Sequence, residues 1–310
     1  MKTALLSLLL AAVAPTVTIH PAQLDRGPDV PGPHVEGRVL VDGSMRMSFR
    51  APSVTYLGKS GDRYYVHLMQ RDGANRRVLW ITPDEKQKVL VRGIDASLVR
   101  LSDDGQELVT TPAQSARRTT LRVLDARTGD VVRARTFPGV VDVLDADESR
   151  AVLGSWSPNR TFWWNYRTNG TKLVNHRPGY FADIRADRVA SYTRDPYLDG
   201  CSVLTDLRSH PHRLSKSCSE RVVAVNPSGR RVATVGILSD GPGSSAATVR
   251  RASGGAPIVR YEAPYVFGRI WWQDNRTLLL ETLTTRKITT VRCVLETCER
   301  ASRTRPSPIV

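Results

Sequence analysis

The stretch VNPSGRRVATV, residues 225–235, joins two short apolar segments through a turn of Asn, Pro, Ser and Gly. It matches LSDDGQELVTT, residues 101–111, in turn chemistry and in spacing. Gly105 and Gly229 supply the positive φ that such tight turns need at little steric cost. The chain therefore repeats a strand–turn–strand unit, and helix signals are nearly absent from it.

The repeat has a regular period along the chain. The second strand of each unit is predicted to begin at successive spacings of 44, 44, 37, 43 and 46 residues, at Tyr64, Leu108, Val152, Val189, Val232 and Leu278. This period is typical of propeller blades that each contain four antiparallel strands. The fold class is therefore predicted to be all-β, a six-bladed β-propeller with blades at 51–93, 94–139, 140–179, 180–219, 220–264 and 265–301.

The ring must also close, because an open array would leave sheet edges exposed. The strand EGRVLVDG at residues 36–43 is expected to join the final blade as an outer strand. A seventh blade built from residues 37–52 and borrowed strands is the alternative.

The two turns quoted above resemble the WD40-like repeats of exported bacterial propellers of the TolB type. Their usual form is an apolar residue, Ser-Pro-Asp-Gly, a basic residue and an apolar strand, which LSDDGQELV and VNPSGRRVATV follow most clearly. As a repeat architecture the resemblance covers residues 51–301. It implies an exported propeller fold and specifies no activity.

Residues 1–22 are predicted to be a secretory signal peptide. Lys2 precedes an apolar run from Ala4 to Val13, and small residues follow, with cleavage open between a site after Ala14 and one near Ala22. The run is too short to span a bilayer, so no membrane span is expected after cleavage. Residues 23–36 are predicted to be an extended linker, and residues 37–310 a single propeller domain with a short flexible C-terminal tail.

The chain has a formal net charge of +15, and 38 of its 45 basic residues are arginine. Codon composition in a GC-rich bacterium would produce this bias without any function. The alternative is a surface that contacts anionic polymers. The arginines are scattered along the chain, so the sequence does not define a basic recognition patch.

Four cysteines remain in a chain predicted to be exported, and three pairings are possible. In the blade register, Cys201 and Cys218 lie opposite each other across the outer hairpin of blade 4, and Cys293 and Cys298 do so in blade 6. Opposite positions of an antiparallel pair lie within disulfide reach. We therefore expect the disulfides 201–218 and 293–298, with a zinc site as the rejected rival.

No complete catalytic set, cofactor site or metal site is predicted. The segment GSWSP at residues 154–158 lacks the second glycine of a nucleophile elbow, and SHPHR, residues 209–213, has no matching acidic cluster. The pairs Trp163/Trp164 and Trp271/Trp272 are weak candidates for a ligand platform. Charged residues on inner strands, which line the channel of a propeller, are the nominated ligand-binding residues: Arg100, Asp142, Asp183 and Arg269.

We expect an exported, non-catalytic and monomeric scaffold in the cell envelope or extracellular space, with a protein or an envelope component as partner. The alternatives are a hydrolase or lyase acting on an extracellular glycan or ester, and electrostatic adhesion to anionic polymers. Acids and His clustered at one channel mouth would favour the enzyme. Mixed charges that do not converge would favour binding.

Overall fold

The fold is built almost entirely of antiparallel strands. The computed structural model describes residues 14–208, 212–240 and 243–306. In these residues the chain begins with strand β1 (Thr16–Thr18) and a three-stranded sheet of β2 (His34–Glu36), β3 (Val39–Asp42) and β4 (Met45–Ser48). Three short 3-10 helices interrupt the strands, at Pro21–Gln23, Ala96–Leu98 and Pro196–Leu198.

Blades 1 to 3 are separate four-stranded sheets in which neighbouring strands follow one another along the chain. Blade 1 contains β5 (Ser53–Ser60), β6 (Arg63–Met69), β7 (Arg77–Ile81) and β8 (Gln87–Arg92). Blade 2 contains β9 (Val99–Leu101), β10 (Glu107–Gln114), β11 (Arg118–Asp125) and β12 (Val131–Pro138). Blade 3 contains β13 (Val141–Asp147), β14 (Arg150–Trp156), β15 (Asn159–Asn165) and β16 (Thr171–Asn175).

Blade 4 is also a separate sheet, whereas blades 5 and 6 share one long strand. Blade 4 contains β17 (Gly179–Asp183), β18 (Arg188–Tyr192), β19 (Ser202–Asp206) and β20 (Arg213–Ser217). Blade 5 contains β21 (Glu220–Val225), β22 (Arg231–Gly236), β23 (Ser244–Arg251) and the first part of β24 (Pro257–Trp272). Blade 6 contains the rest of β24, β25 (Leu278–Leu283), β26 (Lys287–Val294) and β27 (Thr297–Arg300), and β28 (Arg305–Pro306) pairs with β26.

The six four-stranded blades confirm the predicted all-β propeller. Each second strand begins within two residues of its predicted position. The prediction that residues 36–43 join the final blade is wrong. Strand β3 pairs with β2 on one side and β4 on the other, so this part of the chain forms a sheet of its own beside blade 1. Gly37 and Gly43 at positive φ allow the two tight turns that fold these strands onto each other.

The fold was predicted to begin near Gly37, but residues from Pro15 onward already make hydrogen bonds to blades 5 and 6. Strand β1 pairs in parallel with the outer strand of blade 5, through Thr16 opposite Arg260 and Thr18 opposite Glu262. Farther along, the backbone N–H of Gly27 donates to the carbonyl oxygen of Arg300 in blade 6 at 3.0 Å. The segment predicted as an extended linker therefore lies against the last blade.

The hydrophobic core fills the spaces between neighbouring sheets. The cluster between blades 2 and 3 includes Leu121, Phe137, Leu153 and Trp164, all buried. Phe137 and Trp164 meet edge to face, with 5.4 Å between the ring centroids. Adjacent blades are thus held by apolar packing, as propeller architecture requires. In the described ranges no helix is long and apolar enough to cross a membrane.

The antiparallel order of strands places the connecting loops on two opposite faces. We call the lower face the one with the turns between first and second strands and between third and fourth strands. The upper face has the turns between second and third strands and the links from one blade to the next. Both disulfides lie where predicted, between Cys201 and Cys218 in blade 4 and between Cys293 and Cys298 in blade 6. Cys293 and Cys298 are direct cross-strand partners of β26 and β27.

Candidate functional site

The nominated channel residues lie on the inner strands but do not form one group. Arg100 on β9 donates from Nη1 to the carbonyl oxygen of Val99 at 2.9 Å. Burial lowers the pKa of Arg100, and the carboxylates of Asp145 and Asp142 act in the opposite direction. Asp142 on β13 accepts a hydrogen bond from Gln114 Nε2 at 3.1 Å. These two residues therefore face a common region between blades 2 and 3.

The other two nominated residues are separated from each other. Asp183 on β17 accepts a hydrogen bond from the backbone N–H of Ala186 at 2.8 Å, and burial raises its pKa. Arg269 on β24 is exposed, and its guanidinium lies 4.9 Å from the ring centroid of Trp271. Blade 6 thus carries Arg269 apart from the residues of blades 2 to 4. A shared ligand role for the four residues stays a prediction.

Asp145 is a channel-side carboxylate that the sequence did not identify. A bulge in the pairing of β13 with β14 falls between Val143 and Asp145, so the residue departs from simple strand alternation. Asp145 accepts hydrogen bonds from the backbone N–H of Ile184 at 2.7 Å and from that of Ala146 at 3.0 Å. Burial nevertheless raises the pKa of Asp145 to about 7. The carboxylate therefore joins blade 3 to blade 4 and is poised to titrate near neutral pH.

A charged pocket of about 590 Å³ opens beside Asp145 on the lower face. We call it the lower pocket; it is lined by Asp103, Asp104, Asp147, Glu148, Ser149, Arg150, Asn165, Ile184, Arg185 and Arg208. Arg185 Nε lies 2.9 Å from a carboxylate oxygen of Asp103, and Arg150 Nη2 lies 3.2 Å from one of Asp147. Two of the four carboxylates of the pocket are therefore held in ion pairs. In the part of the chain that the structure describes, no three His, Cys, Asp or Glu side chains come together to hold a metal ion.

A second cavity, of about 380 Å³, lies on the upper face between blades 3, 4 and 5. We call it the upper cleft. It is formed by the last residues of β14 and β18, by the loops that follow β18 and β22, and by one residue of β21. Its lining is mainly apolar and aromatic: Trp156, Tyr192, Asp195, Pro196, Tyr197, Arg221, Ile237, Leu238, Ser239 and Asp240.

Three aromatic rings lie in a row at the upper cleft, two of them stacked and the third tilted. Tyr180 and Tyr192 stack with 4.1 Å between ring centroids, and Trp156 lies 5.9 Å from Tyr192 on its outer side. The hydroxyl of Tyr180 is hydrogen-bonded to Ser202 Oγ at 2.6 Å and accepts from the backbone N–H of Val222 at 3.0 Å. The stack is thus fixed from inside, and its outer end at Trp156 is open to solvent.

The rim of the upper cleft is held by hydrogen bonds. Asp195 accepts from the backbone N–H of Tyr197 at 2.9 Å, which caps the short helix Pro196–Leu198. The hydroxyl of Tyr197 donates to Asp240 at 2.8 Å, across from blade 4 to blade 5. Arg221 Nη2 donates to the carbonyl oxygen of Ser239 at 2.9 Å. These bonds position the two loops before any ligand arrives, which lowers the entropy cost of binding.

The disulfide of blade 4 supports the same rim. Cys201 ends the loop that carries Tyr197, and its bond to Cys218 ties the loop to the outer strand. The backbone N–H of Thr193 also donates to the carbonyl oxygen of Cys201 at 2.9 Å, and Cys201 N–H donates to Thr193 Oγ1 at 2.9 Å. The loop is therefore closed at its base by a covalent bond and two hydrogen bonds.

Exposed apolar side chains gather at the upper cleft. Trp156 is 36% exposed and Leu238 49%, while Tyr197 and Leu198 are 67% and 66% exposed. The other large apolar residues exposed in the described ranges are spread over other loops and outer strands: Val131, Val132, Leu173, Tyr265, Val294 and Leu295. A grouping of exposed apolar residues around a concavity marks an interaction surface, whereas single exposed ones are ordinary.

The tryptophan pair of blade 3, a weak candidate for a ligand platform, packs in the core instead. Trp163 and Trp164 are 8% and 0% exposed, so both are core residues. The upper cleft instead uses Trp156, the central residue of the segment GSWSP, in which only the serines were considered as functional. Ser155 is completely buried, which excludes it as an accessible nucleophile. A Trp at the end of a predicted strand, next to a turn, was the signal that could have found the cleft.

None of the histidines that the structure describes lines either cavity. His67 is buried, and its Nε2 lies 2.9 Å from the carbonyl oxygen of Ile94, as expected of a structural residue. His176 and His212 are exposed and line neither cavity. His210 lies outside the described residues. Among the described residues, the lower pocket thus contains carboxylates and arginines without a histidine.

Solved structures with the same architecture include the WD40 domain of Toxoplasma gondii coronin, which has a TM-score of 0.54, 11% identity and coverage of 92% of this chain and 78% of that one. Hsv2 of Kluyveromyces marxianus gives a TM-score of 0.54 and 13% identity, with coverage of 85% and 90%. The chain has the fold of a WD40-like β-propeller. At these identities the likeness concerns the fold alone.

A third similar structure is the β-propeller domain of the trilobed protease from Pyrococcus furiosus, described as having an open velcro topology. Its TM-score is 0.51 at 10% identity, and the match covers 81% of this chain and 84% of that domain. No protein-family model matches the chain, and no curated protein matches it. The function must therefore be argued from the surface of this WD40-like propeller itself.

Proposed function

We propose that the chain is an exported, non-catalytic β-propeller that binds a partner protein through the upper cleft. One observation carries the proposal: Trp156, Tyr197 and Leu238 expose apolar surface around a preformed cavity. Aromatic side chains at the centre of an interface commonly supply most of its binding energy. Burial of these three side chains by a partner would remove that apolar surface from water.

Export is supported by the predicted signal peptide and by the two disulfides. Disulfides persist in oxidising compartments and are rare in the cytosol. The internal pairing of charges in the lower pocket also supports the upper face as the binding surface, since a partner there would have to displace existing ion pairs. The partner is therefore expected in the cell envelope or outside the cell.

Site-specific photo-crosslinking in intact host cells tests this function. A benzophenone amino acid is placed at Tyr197 in the cleft and, as the matched control, at Leu173, which is 45% exposed on the outer strand of blade 3. We expect one discrete protein adduct from position 197 at low and high salt, none from 173, and loss of the adduct on adding Trp156→Ala. Equal adducts at both positions, or an adduct unaffected by Trp156→Ala, would contradict the proposal.

Salt dependence separates this function from adhesion to anionic polymers. Binding of a polyanion by arginines releases counterions and weakens steeply as salt rises. Burial of aromatic side chains is much less sensitive to salt. If only polymer is recovered at low salt and nothing at high salt, the net charge of +15 is the functional feature instead of the cleft.

A hydrolase acting on a glycan or ester is the second candidate, and the raised pKa of Asp145 is the observation that favours it. Active-site carboxylates often have such raised pKa values, although structural ones do too. The test is hydrolysis of a panel of nitrophenyl glycosides and esters between about pH 5 and 9. Activity that requires Asp145 and follows a transition near pH 7 would establish the enzyme, and its absence would leave the binding function.

A further inference from the structure

The first described residues of the chain form a strap across two blades. We define the N-terminal strap as residues 15–30. The backbone N–H of Arg260 in blade 5 donates to the carbonyl oxygen of Pro15 at 2.9 Å, and that of Ile19 donates to Glu262 at 2.8 Å. Together with the pairing of Val17 opposite Tyr261, these bonds make β1 a fifth strand on blade 5.

Ile19 anchors the strap in the core. It is completely buried and belongs to the apolar cluster between blades 5 and 6, which also contains Tyr261 and Phe267. Val17 packs against the same cluster. Thr16 and Thr18, which alternate with these residues, are exposed. The strand thus has one apolar side that faces the core and one polar side that faces solvent.

The second half of the strap lies on blade 6. The backbone N–H of Arg300 donates to the carbonyl oxygen of Asp25 at 2.8 Å, and that of Val30 donates to Ala301 at 3.1 Å. Arg292, 9% exposed, donates from its two Nη atoms to the carbonyl oxygens of Pro28 and Asp29, both at 3.0 Å. The strap therefore bridges the outer parts of blades 5 and 6 by backbone bonds on each.

The two cleavage sites considered for the leader have very different consequences for this structure. Hydrolysis near Ala22 would remove β1 and Ile19, leaving the cluster between blades 5 and 6 open to water and the outer strand of blade 5 without its partner. Hydrolysis ahead of Pro15 would leave the complete strap. Ala12 and Ala14 are the small residues that a leader peptidase reads before a cut, but Pro15 directly after Ala14 disfavours hydrolysis of that bond, so the motif alone does not fix the scissile bond.

We infer that the mature exported protein retains the N-terminal strap, so that leader peptidase cleaves ahead of the strap and not near Ala22. Water adds across the peptide bond, the leader leaves with a new carboxylate, and the mature chain gains a free amino group beside β1. The inference uses the export in the proposed function but not the partner. Retention of Ile19 makes the processed N-terminus a structural element of blade 5.

The test is intact-mass measurement and N-terminal sequencing of the protein purified from the extracytoplasmic fraction of its host. An N-terminus at or ahead of Pro15, which leaves the strap complete, is the expected result. An N-terminus at Gln23 would overturn the inference while leaving export intact. An uncleaved chain beginning at Met1 in the cytoplasm would overturn both this inference and the proposed export, whereas loss of partner binding alone would not affect it.

A stability comparison tests the structural reason independently. Chains beginning at Pro15 and at Gln23 are produced with both disulfides formed, and the longer chain also carries Ile19→Ala or, as the matched control, Thr16→Ala. We expect the thermal midpoint to fall by about 5–10 °C for the shorter chain and for Ile19→Ala, and to stay unchanged for Thr16→Ala. Equal midpoints for all four proteins would overturn the inference.

Discussion

The upper cleft and the lower pocket are both concavities between blades 3 and 4 and one neighbouring blade, yet they differ in how their side chains are used. In the lower pocket, Asp103 is paired with Arg185 and Asp147 with Arg150. In the upper cleft, hydrogen bonds hold the backbone and rim while Trp156 and Leu238 are left exposed. Two carboxylates of the lower pocket are thus already held in ion pairs, whereas the upper cleft exposes apolar surface that a partner would cover.

The largest expected effect follows from removing the disulfide that braces the cleft. The double variant Cys201→Ser/Cys218→Ser opens a loop of sequence separation 17 and should lower the free energy of unfolding by about 3 kcal/mol in urea titration. It should also weaken partner binding, because the loop carrying Tyr197 loses its covalent base.

The disulfide of blade 6 provides the matched control. The double variant Cys293→Ser/Cys298→Ser opens a loop of sequence separation 5, so the expected loss is about 2 kcal/mol. Partner affinity should not change, since neither cysteine lines the cleft. Equal weakening of binding by both double variants would mean that the Cys201–Cys218 disulfide does not position the upper cleft.

Truncation of the exposed tryptophan sharpens the comparison between the two faces. Trp156→Ala should weaken partner binding by about 30-fold, or about 2 kcal/mol, with little effect on folding because the ring is only the outer end of its stack. Titration calorimetry with the partner identified by crosslinking measures this. Leu173→Ala is the control, and a similar loss in that variant would argue against a localised cleft.

Asp145, beside the lower pocket, should make the stability of the protein depend on pH. Its folded pKa of about 7 lies above the ordinary value of 3.8, so the stabilising contribution is fully present below about pH 4 and is lost as the pH rises through 7. The stability of the parent protein relative to Asp145→Asn should therefore fall by about 1–2 kcal/mol between about pH 6 and pH 8. Urea titrations across this range measure it, and a constant difference would mean that Asp145 is ionised throughout.

The smallest effect is expected at the surface ion pair of the lower pocket. Arg185 is 70% exposed, so Arg185→Gln should change the free energy of unfolding by less than about 0.5 kcal/mol, because solvent screens the pair. Partner binding should be the same as in the parent protein. A strong loss of binding in this variant would move the site to the lower face.

The fold could be predicted from sequence because its signal is periodic. Tyr64, Leu108 and Leu278 each fall at or next to the observed start of a second strand, and the blade register placed all four cysteines in hairpin pairs. Strand alternation and turn residues are local properties. Because each blade repeats them, the pattern can be recognised in the sequence even where single blades are degraded. Ring closure involves long-range pairing, and the placement of residues 36–43 was accordingly wrong.

The candidate site was predictable only in part, because it depends on which loops meet. A β-bulge displaces Asp145, and the local sequence does not predict this bulge. Tyr197 lies in a loop whose sequence, DPYLDG, is typical of a solvated turn. Trp156 and Leu238 are 82 positions apart and lie in one cavity only after three blades are assembled. Position in the ring, rather than residue type, makes them a site.

The most direct test of the upper cleft as the binding face compares the two faces in the same cells. Photo-crosslinking yields are measured with the reactive residue at Tyr197 above and at Arg185 below, both highly exposed in the free protein. A discrete partner adduct from position 197 and none from position 185 is the predicted result. An adduct from position 185 alone would contradict the upper cleft as the binding face and place partner binding at the lower pocket.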